Sequence, residues 1–207
     1  MNRKNPFDDA EPEIRELARF SSEFNRESDR GAVLIAGSRL DEVLKAILLA
    51  FFRKTTTAED LLEGFNAPLG TFSSRASACH ALGLIEDNEF REITLIRKIR
   101  NEFGHKWKDI SFDSQRIKDL TLRLPWLGPA EHKKGSTPRA RFNFAVVILL
   151  TDLLWRERLV MREKIGARMW RSKMRDNSRA EPDGAANGSQ PIRSERNRTS
   201  SAAGSRR

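Results

Sequence analysis

The stretch Leu95–His105, LIRKIRNEFGH, decides how the rest of the chain is read. Ile93, Ile96, Arg100 and Phe103 recur at i, i+3, i+7 and i+10, one face of an α-helix. That face is apolar except at Arg100. A cation inside an apolar stripe must be paired, hydrogen-bonded or open to a cleft, because a buried charge without a partner is strongly unfavourable. Gly104 suits the C′ position of such a helix, where glycine takes the left-handed conformation easily. His105 then leaves the helix axis beside Arg100, with Asn101 between them. The spacing predicts a helix end where Arg, Asn and His converge.

Outward from this stretch, Asp87 is the expected cap of its helix. Glu89 falls in the first turn and Lys98 and Arg100 late, in line with the helix dipole. Upstream, Thr71 or Ser73 caps a helix with Phe72, Ala76, Cys79 and Leu82, closed by Gly83. Thr55–Leu62 reads as a turn and a short helix. Ala32–Phe52 carries Val33, Ala36, Leu40, Val43, Leu44, Ile47 and Phe51 at helical spacing, and Asp29-Arg30-Gly31 separates it from a first helix over Pro12–Ser28. Downstream, Phe112–Leu124 reads as an amphipathic helix with Asp113 as its cap, and Pro138–Lys164 as one long final helix. No alternating strand pattern and no repeat is visible. The expected fold is all-α: a bundle of about five to six helices over 11–165, with a frayed N-terminus over 1–10 and a disordered basic tail over 166–207.

Composition narrows the function classes. The 207 residues carry a net charge of +9, but ten Lys/Arg against four Asp/Glu fall in 166–207, leaving 28 against 25 elsewhere. The body is therefore no strongly basic platform for nucleic acid, and the tail is the candidate for phosphate contacts. The single cysteine, Cys79, permits no intramolecular disulfide and no cysteine-based zinc site. No metal and no other cofactor is expected. Residues 1–30 lack the apolar core of a secretory signal, and the longest apolar run, Phe142–Leu154, is short for a bilayer and holds Asn143 and Asp152. A cytoplasmic protein without a membrane partner is expected.

Several segments then fall into a known order. Glu27-Ser28-Asp29-Arg30 leads into a helix bearing Leu40-Asp41-Glu42. Pro68-Leu69-Gly70-Thr71-Phe72-Ser73-Ser74-Arg75, Ala81-Leu82-Gly83-Leu84-Ile85 and Ile96–His105 follow. The order and spacing resemble the mannitol operon repressor family of small all-helical bacterial proteins, over roughly Arg19–Leu124. The resemblance implies transcriptional repression by a helical bundle with no recognised DNA-binding motif. In keeping with it, no short turn joins two helices of which the second offers polar, base-reading residues. Such a repressor would act through a protein partner or as a homo-oligomer.

A second, shorter resemblance concerns Arg100-Asn101-x-x-x-His105, which is similar to the Arg-x4-His motif of HEPN domains, helical bundles that include metal-independent endoribonucleases. That likeness implies His105 as general base or acid, Arg100 as stabiliser of a phosphorane-like transition state, and Asn101 orienting a phosphate oxygen. A two-fold axis would bring two such motifs into one cleft.

Plain structural readings stand beside these. Arg100 pairs with Asp41 or Glu42 of the second long helix, and His105 caps a carbonyl. Ser73, Ser74 and Arg75 fit a helix cap more simply than a phosphate nest. Asp41, Glu42, Ser73 and Arg75 are thus structural or partner-binding candidates. His80 is expected to pack, His132 to be solvated, and Trp107 to pack as a hinge; Trp155 and Trp170 flank the tail without an assignable role. The leading expectation is a regulator working through protein contacts. The alternative is a ribonuclease using Arg100, Asn101 and His105.

Overall fold

The structure is a computed structural model that describes residues 9–105, 108–126 and 135–164. The expectations for 1–8, Trp107, His132, Trp170 and the tail 166–207 lie outside the described residues.

Among the described residues the chain forms helices and no strand. In order they are α1 (Pro12–Arg26), α2 (Asp29–Phe51), α3 (Thr56–Leu62), α4 (Phe72–Ala81), α5 (Asp87–His105), α6 (Gln115–Leu122), α7 (Pro138–Asp152) and α8 (Arg156–Glu163). The all-α bundle is as expected, with eight helices among the described residues against an expected five or six. The short α3 counts separately, and the single final helix is two.

Local chemistry sets most boundaries. The Ser28 hydroxyl accepts from the Gly31 amide at 3.1 Å, so Asp29-Arg30-Gly31 opens α2 instead of breaking the chain before it. Thr55 caps α3, and Thr71 with Ser74 forms a reciprocal capping box at α4. Gly83, at φ +67°, closes α4 as expected, with the Gly83 and Leu84 amides donating to His80 and Cys79 carbonyls at 3.0 and 2.8 Å. At α5, Asp87 is not the cap. The Glu89 carboxylate accepts from the Glu86 amide at 2.6 Å, and Asp87 is the first helical residue. At α6 the N-cap position belongs to Ser114 instead of Asp113, and the helix is shorter than Phe112–Leu124.

The core is layered around α2 and α5, which pack on each other. Helices α1, α3, α4, α7 and α8 also pack on α2, and α4, α6 and α7 on α5. Phe24, Leu40, Leu44, Ile47, Ile93, Ile96, Ile99, Phe103 and Phe142 are fully buried. Phe112 bridges Phe103 and Phe142, with ring centroids 5.5 and 5.2 Å apart. Along α7 the apolar positions Phe142, Ala145, Val146, Leu149, Leu150 and Leu153 keep helical spacing and are buried. Beyond Leu153 that spacing stops: Trp155, Leu159 and Met161 are exposed. A turn over 153–155 separates α7 from α8, and Arg156 at the start of α8 pairs with Glu89.

Arginines and a lysine tie the ends of these helices. Arg139 donates to Asp29 at 2.8 Å and to the Glu27 carbonyl at 2.9 Å, joining α7 to the α1–α2 corner. Arg156 holds the buried Glu89 at 2.6 Å and the Leu84 carbonyl at 2.8 Å. Lys164 donates to the Ala50 and Phe52 carbonyls at 2.8 and 3.2 Å, satisfying the α2 C-terminus.

Candidate functional site

The candidates from the sequence separate into two places. The first is a node around Arg75, whose α4 neighbours Phe72, Ala76 and Cys79 are buried at helical spacing. Arg75, itself only 9% exposed, donates from Nη1 to Asp41 Oδ2 at 2.8 Å, from Nε to the Leu69 carbonyl at 2.9 Å and from Nη2 to the Leu62 carbonyl at 2.8 Å. One planar fork thereby fastens α4 to α2, to the end of α3 and to the 63–70 loop. The other oxygen of Asp41 is buried without a hydrogen-bond partner. Glu42 points elsewhere and pairs with Arg39 at 3.4 Å, which also meets Glu16 of α1 at 2.9 Å. Ser73 is half-buried, and the cap belongs to Thr71, whose hydroxyl takes the Ser74 amide at 3.1 Å. With that amide taken and the Arg75 guanidinium turned inward, no phosphate nest forms here.

The second place is the end of α5. Ile93, Ile96 and Phe103 are fully buried, whereas Arg100 is exposed. Its aliphatic stem crosses α2 at Gly37, so closely that a Cβ at position 37 would stand 3.1 Å from Arg100 Cγ. The charged head runs past this contact into solvent, the usual way a long cationic side chain joins an apolar face. Among the described residues its guanidinium meets only Asn101 Oδ1, at 3.4 Å. The expected pairing with Asp41 or Glu42 is absent, because Arg75 and Arg39 hold those acids.

Gly104 does not terminate α5. The helix runs through it to His105, and the positive-φ glycines are Gly64 and Gly83. Arg30 of α2 donates to the Phe103 carbonyl, so that helix end is satisfied from a neighbouring helix without a left-handed cap. His105 is exposed, makes no hydrogen bond among the described residues, and caps no carbonyl. Five residues of helix set Arg100 and His105 about 140° apart around the axis. Among the described residues, the clefts lined by Glu16 and Val43, by Arg91 and Lys98, and by Phe51 and Leu159 include none of Arg100, Asn101 or His105. One chain therefore brings Arg100 to Asn101 but not to His105.

The remaining candidates are structural. His80 packs as expected, stacked on Phe90 at 4.3 Å between ring centroids, with Nε2 2.8 Å from Asp87. The hydrogen bond and charge of His80 hold the Asp87 carboxyl below its ordinary range. Burial pushes the Cys79 thiol up to about 12, and Sγ lies 3.6 Å from the Leu44 carbonyl, so it is not a nucleophile near neutral pH. Among the described residues no group of three or more His, Cys, Asp or Glu could hold a metal ion, and no helix is long and apolar enough to cross a membrane. Sequence reading missed the buried Glu89–Arg156 pair and the role of Gly37. Glu89 looked like an ordinary first-turn acid, and the only hint at Gly37 was a glycine inside a strong helix.

No protein-family model matches the chain. The mannitol operon repressor of Escherichia coli strain K12 is 30% identical over 143 residues, spanning 60% of this chain and 73% of that relative. The mannitol operon repressor of Escherichia coli O6:H1 matches to the same extent, 30% over 143 residues. Among solved structures, a chain in the X-ray structure of the MtlR–HPr complex from Escherichia coli superposes with a TM-score of 0.49 at 25% identity, over 70% of this chain and 97% of that one.

Proposed function

The chain belongs to the mannitol operon repressor family, and from that membership we propose that it represses mannitol-utilisation genes through protein–protein contacts. The observation that carries this reading is where the helices spend their side chains. A reading helix must offer a free polar face to the major groove. Helix α5 packs on α2, α4, α6 and α7, and the polar residues it keeps outward, Asn88, Arg91 and Lys98, flank the buried Leu95 on the body of the bundle and not on a protruding helix. Helix α8 has no buried residue, yet its arginines are engaged: Arg156 with Glu89, Arg158 with Glu11 and Glu13, Arg162 with Glu163. Apolar surface is available beside it, since Phe51 and Leu159 are 36% and 41% exposed in one cleft with Val160. The tail's basic residues add phosphate contacts without sequence reading.

In cells lacking the chain, mannitol-utilisation transcripts should rise, and the wild-type chain should restore repression. The double substitution Phe51→Glu, Leu159→Glu should fail to restore it while keeping the helical circular dichroism of the parent. The full-length chain should show no operator binding that survives nonspecific competitor DNA at physiological salt. Sequence-specific operator binding would overturn the reading. So would RNA cleavage in EDTA that is lost in both Arg100→Ala and His105→Ala, which would instead establish the ribonuclease alternative with Arg100, Asn101 and His105 as its catalytic set.

A further inference from the structure

The structure treats its cations unequally. Arg39, Arg75, Arg116, Arg139, Arg156 and Arg158 each face a carboxylate. Arg91, Lys98 and Arg123 have no hydrogen bond and no ion pair among the described residues, and all three line one cleft. On α5, Asn88, Arg91, Leu95 and Lys98 form a stripe at i, i+3, i+7 and i+10 on the outward side. Arg123 enters from the end of α6, where Leu124 is buried and its carbonyl is held by Arg141 at 3.0 Å. That anchor fixes the approach of Arg123 to the stripe.

We propose that this cleft binds a small organic phosphate, with Arg91, Lys98 and Arg123 around the phosphate and Phe90, Leu95 and Pro125 against an apolar or aromatic body. The volume, about 470 Å³, lies within the range of small-molecule sites. Two guanidinium forks and an ammonium match the oxygens of a phosphate monoester. Leu95 is only 8% exposed, and Phe90 is braced by its stack on His80, so the apolar side of the cleft is firm. The one acid in the lining, Glu92, is directed to other company: burial, then the carboxylates of Asp152 and Glu89, push it up to about 7. Arg91 lies within electrostatic reach of Asp87 on its own helix, while Lys98 and Arg123 have no carboxylate partner among the described residues. The site is independent of the repressor reading, and either can fail alone.

The test is calorimetric titration of the full-length chain with phenyl phosphate at low salt, with inorganic phosphate, benzoate and a single-stranded oligonucleotide as comparison ligands. Phenyl phosphate should bind saturably at one site, at least tenfold tighter than inorganic phosphate or benzoate. Lys98→Ala and Arg123→Ala should each weaken it at least tenfold without moving the thermal midpoint of the free protein, and Arg53→Ala, outside the cleft, should leave it unchanged. Absence of saturable binding, equal affinity for inorganic phosphate, insensitivity to Arg123→Ala, or preference for the oligonucleotide would each overturn the proposal.

Discussion

Arg75 and Arg100 occupy equivalent positions in sequence terms, each a lone cation in the apolar stripe of a helix. Their fates are opposite. Arg75 is buried and spends its fork on Asp41 and two carbonyls, while Arg100 lays its stem over Gly37 and keeps its head in water. The difference lies in what faces them. Opposite Arg75 stand a carboxylate and two carbonyls at the ends of α3 and its loop, groups that themselves need a donor when buried. Opposite Arg100 stands a glycine, which offers room for methylenes and no acceptor. An apolar stripe therefore states where the stem of an arginine goes, and the partner helix decides the charge.

The sharpest break of this contrast is Arg75→Ala. It leaves the Asp41 carboxylate and the Leu62 and Leu69 carbonyls without their donor, and should lower stability by about 3–5 kcal/mol in urea unfolding. Arg75→Lys should recover only part of that, because one ammonium cannot reproduce three forked bonds. A loss below about 1 kcal/mol for Arg75→Ala would show that the node is replaceable by water.

Next in size is Glu92, an acid on the same helix as Arg100. Its folded-state pKa, about 7, lies above the ordinary value of 4.5, so the folded protein holds the proton more tightly than the unfolded one. The stability this confers is present below about pH 4.5 and is lost as pH rises to about 7. Glu92→Gln should be neutral at pH 4 and stabilising at pH 8, by about 1 kcal/mol once solvent screening of this half-buried group is allowed for. Parallel pH profiles of parent and variant would show that Glu92 titrates normally.

Smaller again is a double-mutant cycle at the α2–α5 crossing. Gly37→Ala gains helix propensity but pushes on the Arg100 stem, so the parent should gain little. In an Arg100→Ala background the same substitution should stabilise by about 0.5–1 kcal/mol. Additive effects would mean that the two residues do not share the space between the helices. Smallest of all, Arg100→Ala alone should change stability by less than about 0.5 kcal/mol, as for a solvated surface charge.

Much of the fold was legible because its signals are local. The spacing in α2, the Thr71 cap, the Gly83 terminator and the apolar run of α7 each depend on residues within a few positions of one another, and they stand as the sequence suggests. The errors fall where a distant residue replaces a local one. Gly104 suits a helix stop by its residue type, but Arg30 satisfies the Phe103 carbonyl and the helix continues to His105. The apolar run into 138–164 suggests one continuous helix, but a turn over 153–155 divides it, and Arg156 after the turn pairs with the distant Glu89.

The candidate site divides along the same line. That Arg100, Asn101 and His105 share one helix end is a matter of chain order and helical rise, and the sequence alone determined it. Whether they face one another, meet an acid or reach a cleft depends on which surfaces the other helices present. Only the tertiary structure decided that Asp41 goes to Arg75, that Gly37 receives the Arg100 stem, and that Arg91, Lys98 and Arg123, without an ion pair among the described residues, line one cleft. The physical reason is that helix formation is governed by neighbours three and four positions away, whereas burial and pairing of a charge are governed by whatever the fold brings within a few ångströms.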